Sequence, residues 1–389
     1  LESQFRMLEK EYSFALYDRV DQLPAAWDEL AAANIFLSCG YLSVLETSAP
    51  QNMECHFIGV FDGSELVAAA LSQFLDLNSL ESFGERDRCI KTSVRNFVFK
   101  RFSSHVMFIG NNMLTGQNAF VSGKTADYSS VLFALKAASV TLASQYRKRG
   151  KPIHLVTFKD FSESKADRFK TAGFSDYFQF STQPNMVLEI RPDWNSFDDY
   201  IASLLKKYRD QFKRARKKSD GLEKRKMHLE DILQHEKTIN ELYHHVARNA
   251  PFNTFFLAEN HFRTLKEKLG GNFLFYGYFD DGKLVGFSTL IKNGDVLDTY
   301  FLGYDESVQR EKMLYLNMLY DMIAFGINKG FREIVFARTA LEIKSSVGAQ
   351  PVEMIGFMKH RNRLINKKLD RVFDYLEPKT EWQQRHPFK

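Results

Sequence analysis

The sequence predicts a mixed α/β (α+β) chain that contains one arrangement twice, and three observations predict it. First, His56–Phe74 and Asn272–Lys292 both read as an apolar strand, an Asp-Gly turn and a second strand opening Leu-Val. Asp-Gly between apolar runs marks a hairpin, because the turn needs positive φ. Second, each hairpin sits in the same order of elements, α-α-β-β-β-α-β. Third, 389 residues with 44% hydrophobic and 26% charged side chains are ordinary globular composition, in a length that suits at least two domains.

Taken in order, the first copy opens with helical stretches at Pro24–Ala33 and Cys39–Thr47 before its hairpin. A strand follows at His105–Gly110, then a long apolar helix at Tyr128–Arg149, Gly150, and a buried strand at Ile153–Phe158. The second copy has helices at Ile232–Arg248 and Leu257–Leu269, then its hairpin. A strand at Val296–Tyr304, a long helix at Arg310–Lys329, Gly330 and a strand at Ile334–Ala337 complete it. Each glycine stands where a left-handed residue ends a helix. An insertion of roughly 40 residues, around Asn78–Arg101, separates the first hairpin from its long helix. Each copy is expected to close with a short helix and a last hairpin. Glu163–Thr171, Gly173–Phe180 and Met186–Ile190 supply these in the first. Leu341–Val347 and Val352–Lys359 supply them in the second. The expected boundaries are 1–195 and 223–376, with a basic connecting helix over 196–222 and a tail over 377–389.

Several function classes lose their support. The longest apolar runs, such as Leu66–Leu71, fall far short of the ~20 residues of a membrane span. Glu2, Arg6, Glu9, Lys10 and Glu11 break up any leader core, so a cytoplasmic location is expected. Cys39, Cys55 and Cys89 have no metal spacing and fit a reducing compartment. His235-Glu236 begins like a zinc-protease motif, but position 239 is Ile, so no metal is assigned. There is no Walker A loop, no G-x-G-x-x-G and no G-x-S-x-G.

The element order is that of the acetyltransferase-type fold of the GNAT superfamily, and three segments narrow the resemblance. Phe36-Leu37-Ser38-Cys39-Gly40-Tyr41-Leu42-Ser43-Val44-Leu45-Glu46 is similar to the opening signature of the FemAB-like proteins, a tandem branch also described as predicted N-acyltransferases of cell-envelope synthesis. Arg209, Lys213, Arg214, Arg216 and Lys217 resemble that family's basic arm. Arg338 to Pro351 resembles its Glu-x-Lys…Gly-x-x-Pro segment. The resemblance covers about residues 30–370. It implies two GNAT-like halves joined by a basic helix. It also implies transfer of an acyl group from a thioester, carried by CoA or an acyl-carrier protein, to an amine on a lipid or envelope precursor. The same resemblance implies two alternatives. One is a peptidoglycan aminoacyltransferase fed by charged tRNA; the other is a binding module that has lost its donor site.

Such a transfer needs a base for the amine, a stabilised carbonyl oxygen and a proton for the leaving group. The resemblance places this chemistry where the third strand diverges from the fifth. Tyr300 and Tyr304, ending the second copy's third strand, are candidate proton donors. Glu342 is the candidate base, with Lys344 beside it, and His245 is a further candidate on its helix. The usual diphosphate loop is Gly-rich. Here it reads Gly303-Tyr304-Asp305-Glu306 and on to Arg310-Glu311-Lys312, so Gly303, Arg310, Lys312 and Arg338 are the candidate donor-binding residues. In the first copy, Gly110 to Lys124 is richer in glycine.

Between Lys206 and Lys226 stand eleven basic residues against three acidic ones, a local +8 in a chain of net charge +5. Arg209, Lys213, Arg216 and Lys217 are spaced along one helical face, beside an apolar stripe of Ile201, Leu204, Leu205, Tyr208 and Phe212. A basic amphipathic helix suits an anionic membrane surface, tRNA phosphates or an acidic carrier protein. No stacking-aromatic pattern accompanies the charges, and 36 phenylalanines suit an apolar substrate or, more simply, a core loaded with Phe by compositional bias.

Overall fold

The computed structural model describes residues 11–79, 104–181, 183–250, 253–371 and 382–389. The described residues fall into two units, those within Leu1–Thr182 and Glu353–Lys379, and those within Gln183–Val352 and Thr380–Lys389. Most of the expected insertion, and Cys89, lie outside the described residues.

In the first unit, β1 (Ser13–Tyr17), β2 (Met53–Asp62) and β3 (Glu65–Asp76) form an antiparallel meander. Gly63 takes φ +60 in the β2–β3 turn, the conformation that the Asp-Gly pair predicts. β4 (His105–Ile109) pairs with β3, and β5 (Phe120–Ser122) takes up the same edge of β3 further along. The helix Tyr128–Lys148 lies between these strands and β6 (Leu155–Phe161) in the chain. Asp127 caps it through the Ser130 N–H at 2.7 Å, and Arg147 and Lys148 occupy its last turn, where cations suit the helix dipole. It buries Val131, Leu132, Leu135, Ala138 and Leu142, one face at helical spacing, into the first core. The helix Glu163–Thr171 and β7 (Phe178–Ser181) follow.

The second unit opens with β8 (Asn185–Glu189), the helices Phe197–Ser203 and Lys206–Lys218, and β9 (Glu223–Met227). The helices Leu229–Gln234, Glu236–Asn249 and His261–Leu269 precede β10 (Phe273–Asp280), β11 (Lys283–Asn293) and β12 (Val296–Tyr304). Asp281 and Gly282 both take positive φ in the β10–β11 turn. The helices Glu306–Lys312 and Leu314–Asn328, β13 (Glu333–Ala337), the helix Leu341–Ser346 and β14 (Gln350–Val352) complete the unit. Leu316, Leu319, Tyr320, Ile323 and Ile327 of the long helix enter the second core. Burying each such side chain favours the fold by roughly 1.5–3 kcal/mol.

The closing strands depart from expectation. β15 (Ile355–His360) belongs to the first sheet, whose order is β1-β2-β3-β4-β6-β15-β7, with β5 on β3. β8 belongs to the second, ordered β14-β8-β13-β12-β11-β10-β9. Each sheet therefore receives its penultimate strand from the other copy's stretch of chain. The expected hairpins do not form, since β7 and β8 stand in different sheets, as do β14 and β15. The division at 182 and 353 differs accordingly from the expected boundary at 195.

The basic segment lies within the second unit. The helix Lys206–Lys218 buries Tyr208 and Ala215 in the second core. Asn317 Nδ2 on the long helix donates to the Ala215 carbonyl at 3.0 Å. The expected single helix from Phe197 breaks at Leu204 and Leu205, both in extended conformation. The long helix of the second unit breaks at Met313, which takes φ +50. β1 and β9 escape the sequence reading for different reasons. β1 is short, and β9, an edge strand reading Glu-Lys-Arg-Lys-Met, exposes its first four residues.

Candidate active site

The site in the second unit begins with a fork between two parallel strands. β12 pairs with β13 at three positions, Val296 with Glu333, Leu297 with Ile334 and Asp298 with Val335. Beyond Asp298 the strands part, while β12 keeps its ladder to β11 as far as Tyr304. Thr299 pairs with Leu290 and Leu302 with Ser288, so Tyr300 and Phe301 stand opposite Thr289 alone. This bulge turns β12 away from β13 and leaves one backbone edge of Thr299–Tyr304 without a strand partner among the described residues. On the other side, β13 ends in a turn where Ala337, Thr339 and Ala340 all take positive φ. Three such non-glycine residues within four positions are strained, and strain of this kind concentrates at functional sites.

Around the fork lie groups with displaced proton affinities. Asp298, at the apex, is 5% exposed, and its Oδ2 has no hydrogen-bond partner. Burial pushes its carboxyl up to about 7, an effect that Asn293 offsets in part and Glu333 reinforces. Lys344 is 4% exposed, and burial brings its amine down to about 7. Its Nζ donates to the carbonyls of Ala337 at 3.3 Å and Arg338 at 2.7 Å, which ties the helix Leu341–Ser346 to the strained turn. Tyr300 Oη lies 3.0 Å from Nε2 of the fully buried His261. His244 is half-buried with no partner at Nδ1, and burial followed by Arg248 lowers its proton affinity.

The other expected site residues are dispersed. Tyr304 is half-buried at the end of β12, its phenol raised by burial and then by Glu306. Glu342 is half-exposed and ion-paired with Arg385. His245 is exposed and bears electrostatically on Asp305, which caps the helix Glu306–Lys312. Arg310 is 76% exposed beside Glu306, and Lys312 Nζ reaches the Asp220 carbonyl at 3.3 Å and Asp280 at 3.6 Å. Arg338 Nε donates to the Gln183 carbonyl at 3.0 Å. Gly303 has a packing role: a Cβ there would lie 2.6 Å from the backbone of Leu242 and Tyr243, so its absence lets the helix Glu236–Asn249 lie against β12. No three His, Cys, Asp or Glu side chains among the described residues converge as metal ligands.

The corresponding fork in the first unit is filled. β4 pairs with β6 from Val106–Leu155 to Ile109–Phe158. Lys159 then runs against Gly110, where a Cβ would sit 2.6 Å from Lys159 Cγ. Lys159 Nζ donates to the carbonyls of Asn111 at 2.8 Å and Leu114 at 3.2 Å, and pairs with Asp160 at 2.9 Å. The Asn112 N–H donates to Gln73 Oε1 at 2.7 Å, and Asn34 Nδ2 to Asn118 Oδ1 at 3.0 Å. Residues 110–119 are thus pinned inward by buried polar groups, and this glycine-rich stretch plugs the fork.

The arrangement, two sheets each with a parallel pair at its centre and one open fork, can be set against known proteins. A family model for FemAB-like proteins, described as "Peptidogalycan biosysnthesis/recognition", matches residues 19–386. The chain belongs to this FemAB-like family. No curated protein matches it. Among solved structures, the crystal structure of FemX aligns with a TM-score of 0.50 at 12% identity, over 90% of this chain and 98% of that one. A tandem GNAT protein from the clavulanic acid biosynthesis pathway gives 0.50 at 10%, over 90% and 99%. A conserved protein of unknown function from Bacteroides thetaiotaomicron VPI-5482 gives 0.50 at 13%, over 89% and 99%. The fold of this FemAB-like chain is thus the mixed α/β tandem GNAT fold. The family's description places it in peptidoglycan biosynthesis or recognition.

Three buried groups of this FemAB-like chain, two at the site and one in the first unit, escape the sequence reading. Asp298 carries a legible signal, an acid inside the apolar run Val296-Leu297-Asp298-Thr299-Tyr300-Phe301. His261 carries none, since it opens an ordinary amphipathic helix. Lys159 lies just past the expected strand Ile153–Phe158, where a cation reads as solvated, although β6 continues to Phe161.

Proposed function

We propose that the second unit is an N-acyltransferase that receives an acyl thioester in the fork between β12 and β13. The acyl group goes to an amine on a lipid or envelope precursor. The observation that carries this reading is the contrast between the two forks, one filled by Lys159 and residues 110–119, the other formed where β12 and β13 stop pairing at Asp298 and Val335. In the reaction the amine nitrogen bonds to the thioester carbon and the carbon–sulfur bond breaks. The amine's proton passes to a base and the thiolate takes up a proton. Asp298 is the base that this reading favours over Glu342, because a buried carboxyl with a proton affinity near neutrality suits the task. Tyr304 is the proton donor favoured over Tyr300, whose hydroxyl is engaged by His261.

The donor is an acyl-CoA or an acyl-carrier protein. The second is favoured because Lys312 is held by Asp220 and Asp280 and Gln309 Oε1 accepts from the Tyr315 N–H at the start of the long helix, which leaves little for free diphosphate. The test is single-turnover transfer from both donors to long-chain amines. Asp298→Asn is expected to lower the rate by about 10²-fold or more. Thioester hydrolysis and transfer both absent, with tRNA-dependent transfer present, would replace the reading with the aminoacyl one.

A further inference from the structure

The helix Lys206–Lys218 presents two different cationic faces. The one that spacing suggests is divided: Arg209 donates to the Leu204 carbonyl, and Arg216 reaches Asp321 at 2.7 Å and Asn317 at 3.2 Å. These two arginines hold the helix to its own unit. Lys206, Lys207, Lys213, Arg214, Lys217 and Lys218 are exposed instead. At 100° per residue they fall within an arc of roughly 140°, with Asp210 the one acid inside it. None of the six forms an ion pair among the described residues. The row of cations extends about 18 Å along the axis. Leu205, 41% exposed, stands at the head of the helix, and the exposed arc carries no aromatic side chain.

We propose that this arc is a docking surface for an anionic lipid bilayer. Six cations against one acid in one rigid line complement a plane of negative headgroups, whose attraction acts on each cation near the surface. Tyr208, Phe212 and Ala215 fix the opposite side of the helix in the second core, so the arc is presented without reordering the unit. Leu205 adds an apolar contact at one end. The missing aromatics set this surface apart from one that grips single-stranded nucleic acid by stacking. The proposal stands independently of the reaction, since binding is read without turnover.

The experiment is flotation of the full chain with vesicles of equal parts phosphatidylglycerol and phosphatidylcholine, against vesicles of phosphatidylcholine alone. Binding is expected only to the first and is expected to fall steeply with added salt. Replacing Lys206, Lys213, Arg214 and Lys217 together by Gln should lower partitioning by on the order of 10²-fold or more. Exchanging Lys206, Lys213 and Lys217 for Arg should preserve it, and melting curves check that both variants are folded. No binding to phosphatidylglycerol vesicles at low salt would overturn the proposal. So would binding that the fourfold Gln variant leaves intact, or a tRNA mixture that loses its binding in that variant while vesicle binding persists.

Discussion

At the scale of single residues, the fork sets two titrating groups against the stability of the unit. Asp298 has a raised folded pKa, so its contribution is fully present below the unfolded carboxyl value and is lost as pH rises towards about 7. Lys344 has a lowered one, so its burial penalty persists below about 7 and is relieved as pH rises towards the ordinary amine value. Their summed contribution is therefore poorest near neutrality. Asp298→Asn is expected to melt above the parent protein at pH 8, with the gain shrinking towards pH 4. Lys344→Met should melt above it at pH 6, with the gain shrinking towards pH 10. Calorimetry across pH checks both signs. A rate loss in Asp298→Asn together with raised stability marks the residue as functional rather than structural. Glu342→Gln, by contrast, should lose less turnover than Asp298→Asn, since Glu342 is engaged by Arg385.

At the scale of elements, legibility in the sequence followed local chemistry. The two hairpins and both long helices were readable because Asp-Gly turns, apolar spacing and closing glycines act within a few residues of themselves. The breaks at Leu204-Leu205 and Met313 were not, since tertiary packing decides them and no proline or glycine marks them. Of the candidate site, the end of β12 and the segment from Arg338 to Lys344 were readable as a locality, with Tyr300 just beyond the last β12–β13 pair and Lys344 bonded to the carbonyls that follow β13. The pairing of Tyr300 with His261 was unreadable, because 39 residues separate them. The plug in the first unit depends on one side chain meeting backbone carbonyls. Lys159→Met removes a buried cation together with its ion pair to Asp160 and its bonds to two carbonyls, so it is expected to destabilise the protein by about 3–5 kcal/mol. Denaturant titration measures the loss, and per folded molecule the transfer rate should stay near that of the parent.

At the scale of the whole molecule, the exchanged strands make each sheet depend on a distant stretch of chain. β6 and β7 have β15 between them, and β13 and β14 have β8 between them. A fragment ending at residue 182 would leave β6 and β7 with bare edges, which template aggregation. Expressed alone it is expected to be insoluble or to self-associate, and a peptide covering residues 353–371 supplied in trans should restore monodispersity by light scattering. A soluble, monomeric fragment would show that β15 is dispensable to the first sheet.

The same exchange bears on how the protein is born. A ribosome adds about 5–20 residues each second, so roughly 10–40 s separate the emergence of β6 from that of β15. During that interval the first sheet waits with the place beside β6 unfilled, and a nascent-chain chaperone has a defined edge to shield until β15 has been made.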